Sequence, residues 1–382
     1  METITAAALT DLRIVEISRD DSRAIPYGSR LLADLGADVV LVEPPAGHPL
    51  RRSASGTPDD DDLASAVFAY LASGKKSVVV DHSSTGNALG ALLDTADVIV
   101  TDLTPDELGA CIGGELGDSK HRVAVYVTPW GLDGPYAGLP ASGLVLQAAA
   151  GWVSNRMDPT SKVVQVGGRI HEWVAGSYIA AAILTARASV RRNGTNVDVD
   201  FSMFECLHST LPYPRLMADT NAELGGPATP SMMTPFGVRR CLDGWVGINI
   251  LTGQQWVDAC LLTELDDFAG SQQEFNLGTG DLEAFQLRLL EWLSERTVNE
   301  VVELGQSLRI PVVPVATGAT LAELSQWQER QWFEPLGDAR GLQRPGPPWR
   351  LSRTPANTQR PAPAVNDAAA LIGDLANSEG TR

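Results

Sequence analysis

Short, predominantly apolar runs punctuate the first third of the chain, at Leu12–Ile17, Val39–Val42, Ser77–Val80, Val98–Val100 and Val123–Val127, and Val39–Val42 is apolar without a break. A strand with one wet face would alternate apolar and polar residues, whereas an unbroken run marks a strand covered on both sides. The intervening stretches carry helix punctuation. Pro26 suits a first helical turn, where its missing N–H would have no partner anyway. The helix it opens, over Tyr27–Leu35, stops at Gly36, which takes a left-handed terminal position without steric cost. A second helix is expected over Gly86–Leu93, and a long one from Gly176 to Arg191, broken by Asn193-Gly194 before a strand at Val197–Phe201.

Strand and helix in alternation predict an α/β fold, Rossmann-like in outline, with a parallel sheet and helices on both faces. The first strand-to-helix turn reads Ser18-Arg19-Asp20-Asp21-Ser22-Arg23 and lacks the G-x-G-x-x-G fingerprint, so a dinucleotide pyrophosphate would miss its backbone cradle. No G-x-x-x-x-G-K-[ST] loop is present either. At 382 residues the chain exceeds one ordinary core, and a second, smaller α+β lobe is expected. It begins near Pro235, after a stretch rich in Pro and Gly, with a hairpin over Phe236–Arg240 and Trp245–Ile250 turning at Asp243-Gly244. Helices follow around Gln254–Leu262 and Leu282–Leu293. The run Gly341–Pro363 is expected to lie extended on the surface, and a last helix over Asp367–Leu375 to pack on the first lobe.

A formal net charge of −18 with only paired basic residues (Arg51-Arg52, Lys75-Lys76, Arg191-Arg192, Arg239-Arg240) argues against nucleic acid or an acidic membrane as partner. Cys111, Cys206, Cys241 and Cys260 show no C-x-x-C spacing, so neither a metal site nor a disulfide framework is expected. No basic segment followed by an apolar stretch opens the chain, which points to the cytoplasm. Val174–Ala186 is too short to cross a bilayer and reads as a buried helix.

The segment from Leu31 to Pro45, LLADLGADVVLVEPP, resembles the opening signature of the family III CoA-transferases. Gly74–Asp81 and Ala96–Val100 are similar to the family's second and third strands, and Gly131-Leu132-Asp133-Gly134-Pro135-Tyr136 to its G-x-x-G-P-Y loop. Leu146–Gly151, Ala175–Leu184 and Arg191–Val199 match its next helices and strand, in unbroken order over roughly the first 210 residues. The resemblance implies a large Rossmann-like domain at 1–210, a linker at 211–234, a small domain at 235–315, a second linker at 316–350, and return to the large domain at 351–382. It also implies an interlocked, ring-like dimer, either a homodimer or a heterodimer with a paralogue. The substrates would be an acyl-CoA thioester and a carboxylic acid, with no permanently bound cofactor.

In the same register the catalytic carboxylate falls on Glu172, four residues before Gly176, where the family usually has Asp. Spacing alone favours reading Glu172 as an acid placed for the positive end of a helix, and it is the family register that reverses this. The family's CoA loops correspond to Arg23, Ala24, Pro44, Val80, Ser83, Asp102, Leu103, Thr128, Pro129 and Trp130, and Gly225-Gly226 stands either for its active-site glycine loop or for a simple linker. A carboxylate can attack a thioester and then carry CoA itself, the two steps that transfer between acids requires. His171 is not expected to work with Glu172, because neighbouring helix positions point apart. Ser142-Gly143 stands where racemases of the family carry a His-Asp pair, which disfavours racemization or isomerization. A non-catalytic or partner-dependent subunit is the other alternative, since some members pair two different chains. Trp130, Trp152 and Trp173 hint at a bulky acyl group, or simply at core.

Overall fold

The structure, a computed structural model, describes residues 7–52, 66–80, 87–117, 121–153, 165–212, 216, 219, 235–276, 279–337, 341–356 and 360–371. The chain divides into two compact units, residues 1–214 with 332–382, and residues 215–331.

In the first unit, β1 (Arg13–Ile17), β2 (Asp38–Glu43), β3 (Lys76–Val79), β4 (Val98–Thr101), β5 (Val123–Thr128) and β6 (Val197–Ser202) form one sheet in the order β3-β2-β1-β4-β5-β6. All five pairings are parallel. Each strand sends alternate side chains to opposite faces, so β2, β4 and β5, buried on both, read apolar nearly throughout, whereas the edge strand β6 alternates Val197 and Val199 with exposed Asp198 and Asp200. Ile14, Val39, Val98 and Val125 pack with α1 (Ala24–Asp34) on one face. Val15, Val40, Ile99 and Tyr126 pack on the other with α2 (Asn87–Asp94) and α3 (Pro105–Ile112). Each such fully buried aliphatic side chain contributes about 1.5–3 kcal/mol. Because β1 pairs with β2 on one side and β4 on the other, the chain reverses its progress across the sheet there, and a crevice opens beyond the strands' carboxyl ends.

The α1 face also holds α4 (Gly143–Ala149), the 24-residue α5 (Ile170–Asn193) and α6 (Met203–Thr210). Helix α5 starts six residues earlier than the expected Gly176, so Glu172 lies within its first turn. Its N-cap, Arg169, has a left-handed backbone (φ 54°) that redirects the chain after Gly167-Gly168. The expectation of a buried helix also needs correction. Ala175, Ile179, Ile183 and Val190 are buried, but Tyr178 and Leu184 on the opposite side are exposed. Among the described residues this is the one helix long and apolar enough to cross a membrane, and its inner side packs on the sheet.

Helices α1 and α5 cross with their backbones nearly in contact. A Cβ at Gly28 would stand 2.8 Å from the Gly176 carbonyl oxygen, and one at Gly176 2.7 Å from that of Ala24. Only glycine fits at either position.

Gly341–Pro363 is not simply extended surface chain. β10 (Phe333–Pro335) and β11 (Gln343–Pro345) pair antiparallel, and Arg344 is buried beside Asp34 at 3.5 Å. Asp34 also receives Arg30 at 3.1 Å, so one buried carboxylate anchors two arginines. Ala368 and Leu371 pack on the α2–α3 face, while the rest of the expected terminal helix lies outside the described residues.

The second unit builds its own core. Strands β7 (Gly237–Arg240), β8 (Trp245–Ile248) and β9 (Val312–Pro314) form an antiparallel sheet. Phe236, Trp256, Phe275 and Phe285 cluster with α7 (Gly253–Leu262) and α8 (Leu282–Ser294), their rings 5.2–5.8 Å apart. Of the four cysteines, none disulfide-bonded, Cys206, Cys241 and Cys260 are buried and Cys111 is half-buried.

Candidate active site

The crevice is walled by the loop after β1, the loop after β5, the start of α4 and the first turn of α5. Glu172 enters it from α5 with 4 % of its surface exposed. Oε1 accepts from the Arg169 guanidinium at 2.6 Å, and Oε2 from the Arg23 backbone N–H at 3.3 Å. Arg169 also pairs with Asp21, through Nη1 to Oδ2 at 2.7 Å, so it bridges the β1 loop to the catalytic candidate. The bridge holds Arg169 firmly protonated and Asp21 below the usual carboxylate range. Burial pushes the Glu172 carboxyl above its ordinary value, and Arg169 and the Arg23 N–H offset only part of that rise.

Glu172 lines a cavity of about 620 Å³ together with Asp21, Ser142, Gly143, Arg169 and His171. His171 departs from expectation. Although adjacent on the helix, its Nε2 lies 3.8 Å from Glu172 Oε1, because both side chains fold into the same wall at the helix start. Its ring occupies the space beside Gly143, where a Cβ would fall 2.2 Å from Cε1. Among the described residues His171 Nδ1 is buried without a hydrogen-bond partner, and burial, helped by Arg169, lowers the ring's pKa and so favours the neutral imidazole.

A second cavity of about 370 Å³ opens between the ends of β1 and β4, lined by Ser18, Arg19, Ala24, Asp102 and Pro129 among others. It shares Asp20, Ser22, Pro129 and Met203 with the first. Arg23, Ala24, Asp102 and Pro129 are thus gathered around Glu172 or the adjoining cavity. Burial raises the Asp102 carboxyl to about 6 against the pull of Arg19.

Other residues of the expected CoA loops are placed differently. The Thr128 hydroxyl accepts from the Gly131 N–H at 2.9 Å and so shapes the glycine loop. Trp130 donates to the Leu139 carbonyl and stacks near Tyr136 and Phe204. The Leu103 side chain is buried in the core of the α2–α3 face. Pro44 closes a turn with Gly47, Val80 donates to the Glu43 carbonyl, and neither lines these two cavities. Ser83 and Gly225-Gly226 lie outside the described residues. Trp152 is core, donating to the Leu207 carbonyl, and Trp173 packs on Tyr27 at 4.9 Å, so neither borders the 620 Å³ cavity. Arg169, Asp21 and Ser18 were not among the expected site residues. The paired glycines before Arg169 were the one local signal of an unusual helix start.

A doubly wound sheet with a buried, arginine-held carboxylate opening on its switch-point crevice defines an α/β enzyme framework suited to acyl chemistry. The chain belongs to CoA-transferase family III, whose model matches residues 9–368. It is 26 % identical over 367 residues to the BbsE subunit of succinyl-CoA:(R)-benzylsuccinate CoA-transferase from Thauera aromatica, covering 90 % of this chain and 88 % of that one. It is 25 % identical over 400 residues to succinate–glutarate CoA-transferase from Agrobacterium fabrum, covering 98 % and 97 %. In fold it matches a CAIB/BAIF family protein from Brucella suis with a TM-score of 0.78 at 21 % identity, over 97 % of this chain and 100 % of that one. It is a transferase of CoA groups.

Proposed function

We propose that the protein moves CoA from an acyl-CoA donor to a carboxylic acid acceptor through Glu172. The observation that carries this reading is the buried Glu172 carboxylate lining the 620 Å³ cavity. The Arg23 contact on Oε2 is the longer of its two hydrogen bonds, so Oε2 is the oxygen more easily freed for attack. That oxygen adds to the thioester carbonyl, the C–S bond breaks, and CoA leaves as thiolate from a mixed anhydride. The thiolate then attacks the Glu172 carbonyl carbon, releasing the donor acid and leaving a glutamyl-CoA thioester. The acceptor carboxylate displaces CoA to form a second anhydride. Attack of CoA on its acyl carbon yields the new thioester and restores Glu172. The CoA thioester is a substrate here, held along the carboxyl edge by the loops carrying Arg23, Ala24, Asp102 and Pro129.

Hydroxylamine tests the covalent step. Incubation with an acyl-CoA and hydroxylamine should leave a hydroxamate on Glu172, detected by peptide mass spectrometry. Failure to label with every donor tried would remove the mechanism.

Two copies of the chain are the expected unit. Tyr178 and Leu184 on α5, and Leu144 and Val145 on α4, are large apolar side chains left exposed in the single chain. The partner could also be a paralogue, a reading favoured by the relative whose name marks it as a subunit. Co-purification of a second, different chain in stoichiometric amount would decide for the heteromer.

A further inference from the structure

Beneath the 370 Å³ cavity lies a histidine–serine pair that the transfer chemistry above does not use. His48 is 1 % exposed and follows β2, and its Nε2 stands 2.8 Å from Ser18 Oγ at the end of β1. Such a pair invites a nucleophilic reading, with histidine as base. The other ring nitrogen excludes it. The backbone N–H of Leu50 donates to His48 Nδ1 at 3.1 Å, capping the short turn Pro49–Arg51. A nitrogen that accepts an N–H carries no proton, so the neutral ring has its proton on Nε2. Nε2 therefore donates to Ser18, and the serine oxygen accepts. The hydroxyl hydrogen is left over, and among the described residues no acceptor meets it.

Ser18 is 3 % exposed and lines the cavity, so that hydrogen has one useful direction. The charged neighbours are already committed. Arg19 donates to Asp102 through its backbone N–H at 2.8 Å and to Glu107 through Nη1 at 2.8 Å. A buried donor without an acceptor is destabilising, and a ligand oxygen would relieve it.

We propose that the Ser18 hydroxyl, oriented by His48, donates a hydrogen bond to a carbonyl oxygen of the CoA thioester's amide-bearing arm. The inference rests on the CoA-transfer reading, since the cavity adjoins the one that holds Glu172 and shares four of its lining residues. It assigns Ser18 a binding role and His48 a positioning role, and neither takes part in bond making.

The test is calorimetric titration of the intact protein with acetyl-dethia-CoA, in which a methylene replaces the thioester sulfur so that Glu172 cannot exchange it. Ser18→Ala should weaken binding about 3- to 10-fold, the worth of one neutral hydrogen bond, and Ser18→Thr, which keeps the hydroxyl, should stay within about twofold. His48→Phe keeps a ring of similar size without nitrogens and should weaken binding comparably, but should add little on top of Ser18→Ala, because both act through one bond. Equal binding by wild type and Ser18→Ala overturns the assignment while leaving the CoA reading intact. So does a Thr variant as weak as Ala with its thermal transition unchanged. No binding by the wild type would instead overturn the CoA reading itself.

Discussion

Glu172 is a carboxylate asked to be both buried and ionised, and the residues around it show how the conflict is managed. Burial raises its pKa, so between the ordinary glutamate value of 4.5 and the folded value the native state binds a proton that the unfolded chain does not. Its contribution to stability is therefore fully present below that window and is lost as pH rises through it. Glu172→Gln removes that charge and should melt no lower than wild type above pH 7, while transfer falls by roughly a thousandfold or more. A large loss of thermal stability in that variant would mean the carboxylate is structural. Because the proposed nucleophile has to be ionised to attack, the acid limb of kcat/KM should lie above pH 4.5, and Arg169→Ala should move it higher still by removing the guanidinium that holds Oε1. A limb that stays put in Arg169→Ala would show that the pair in the structure does not control the charge. Shortening the side chain tests placement separately. Glu172→Asp withdraws the carboxyl by about 1.5 Å, one C–C bond, and should cost about a hundredfold in kcat if the pocket is built for glutamate.

At the scale of elements, the site's geometry depends on how α1 meets α5. Arg23 sits at the foot of one helix and Glu172 in the first turn of the other, and they are held together because Gly28 and Gly176 let the two backbones touch. Gly28→Ala or Gly176→Ala puts a methyl group against a carbonyl oxygen that cannot move without moving its helix. Each should destabilise by about 1–3 kcal/mol, read as a lower urea midpoint at unchanged slope. An unchanged midpoint would mean the helices are free to separate. The sheet was legible in the sequence because a strand buried on both faces leaves a one-dimensional record, the unbroken runs at Val39–Val42 and Val123–Val127. The start of α5 was not, because a left-handed arginine is invisible to periodicity, and Arg169 is tied by ion pairs to Asp21 and Glu172. Leu103 shows the same limit. A register match places it in a loop at the carboxyl edge, but the alternation of side chains sends it into the core on the far face. His171 and Glu172 were expected to diverge by helix geometry, yet long side chains at a helix start can bend toward one wall. Ser18 and His48 are separated by 30 residues and meet only because β1 and β2 are neighbours.

For the whole molecule, the uncovered face on α4 and α5 has to be set against the net charge of −18. Leu144 is 51 % exposed, Val145 45 % and Tyr178 42 %, large apolar side chains that a second copy would take out of water. Burying them against a second copy gains apolar contact but brings two strongly acidic bodies together, and the repulsion acts over a Debye length of about 30 Å at 10 mM salt and only about 8 Å at 150 mM. Association driven by the apolar face should therefore strengthen as salt is added, the reverse of an interface built on ion pairs. Sedimentation equilibrium at low micromolar concentration is expected to give twice the mass of one chain at 150 mM salt, with any single-chain fraction at 10 mM shrinking as salt rises. Leu184→Glu, which places a carboxylate on the face, should raise the single-chain fraction and steepen its dependence on salt. A particle of single-chain mass at every salt concentration would show that the face is covered by something other than a second copy. A dimer indifferent to Leu184→Glu would place the contact elsewhere on the molecule.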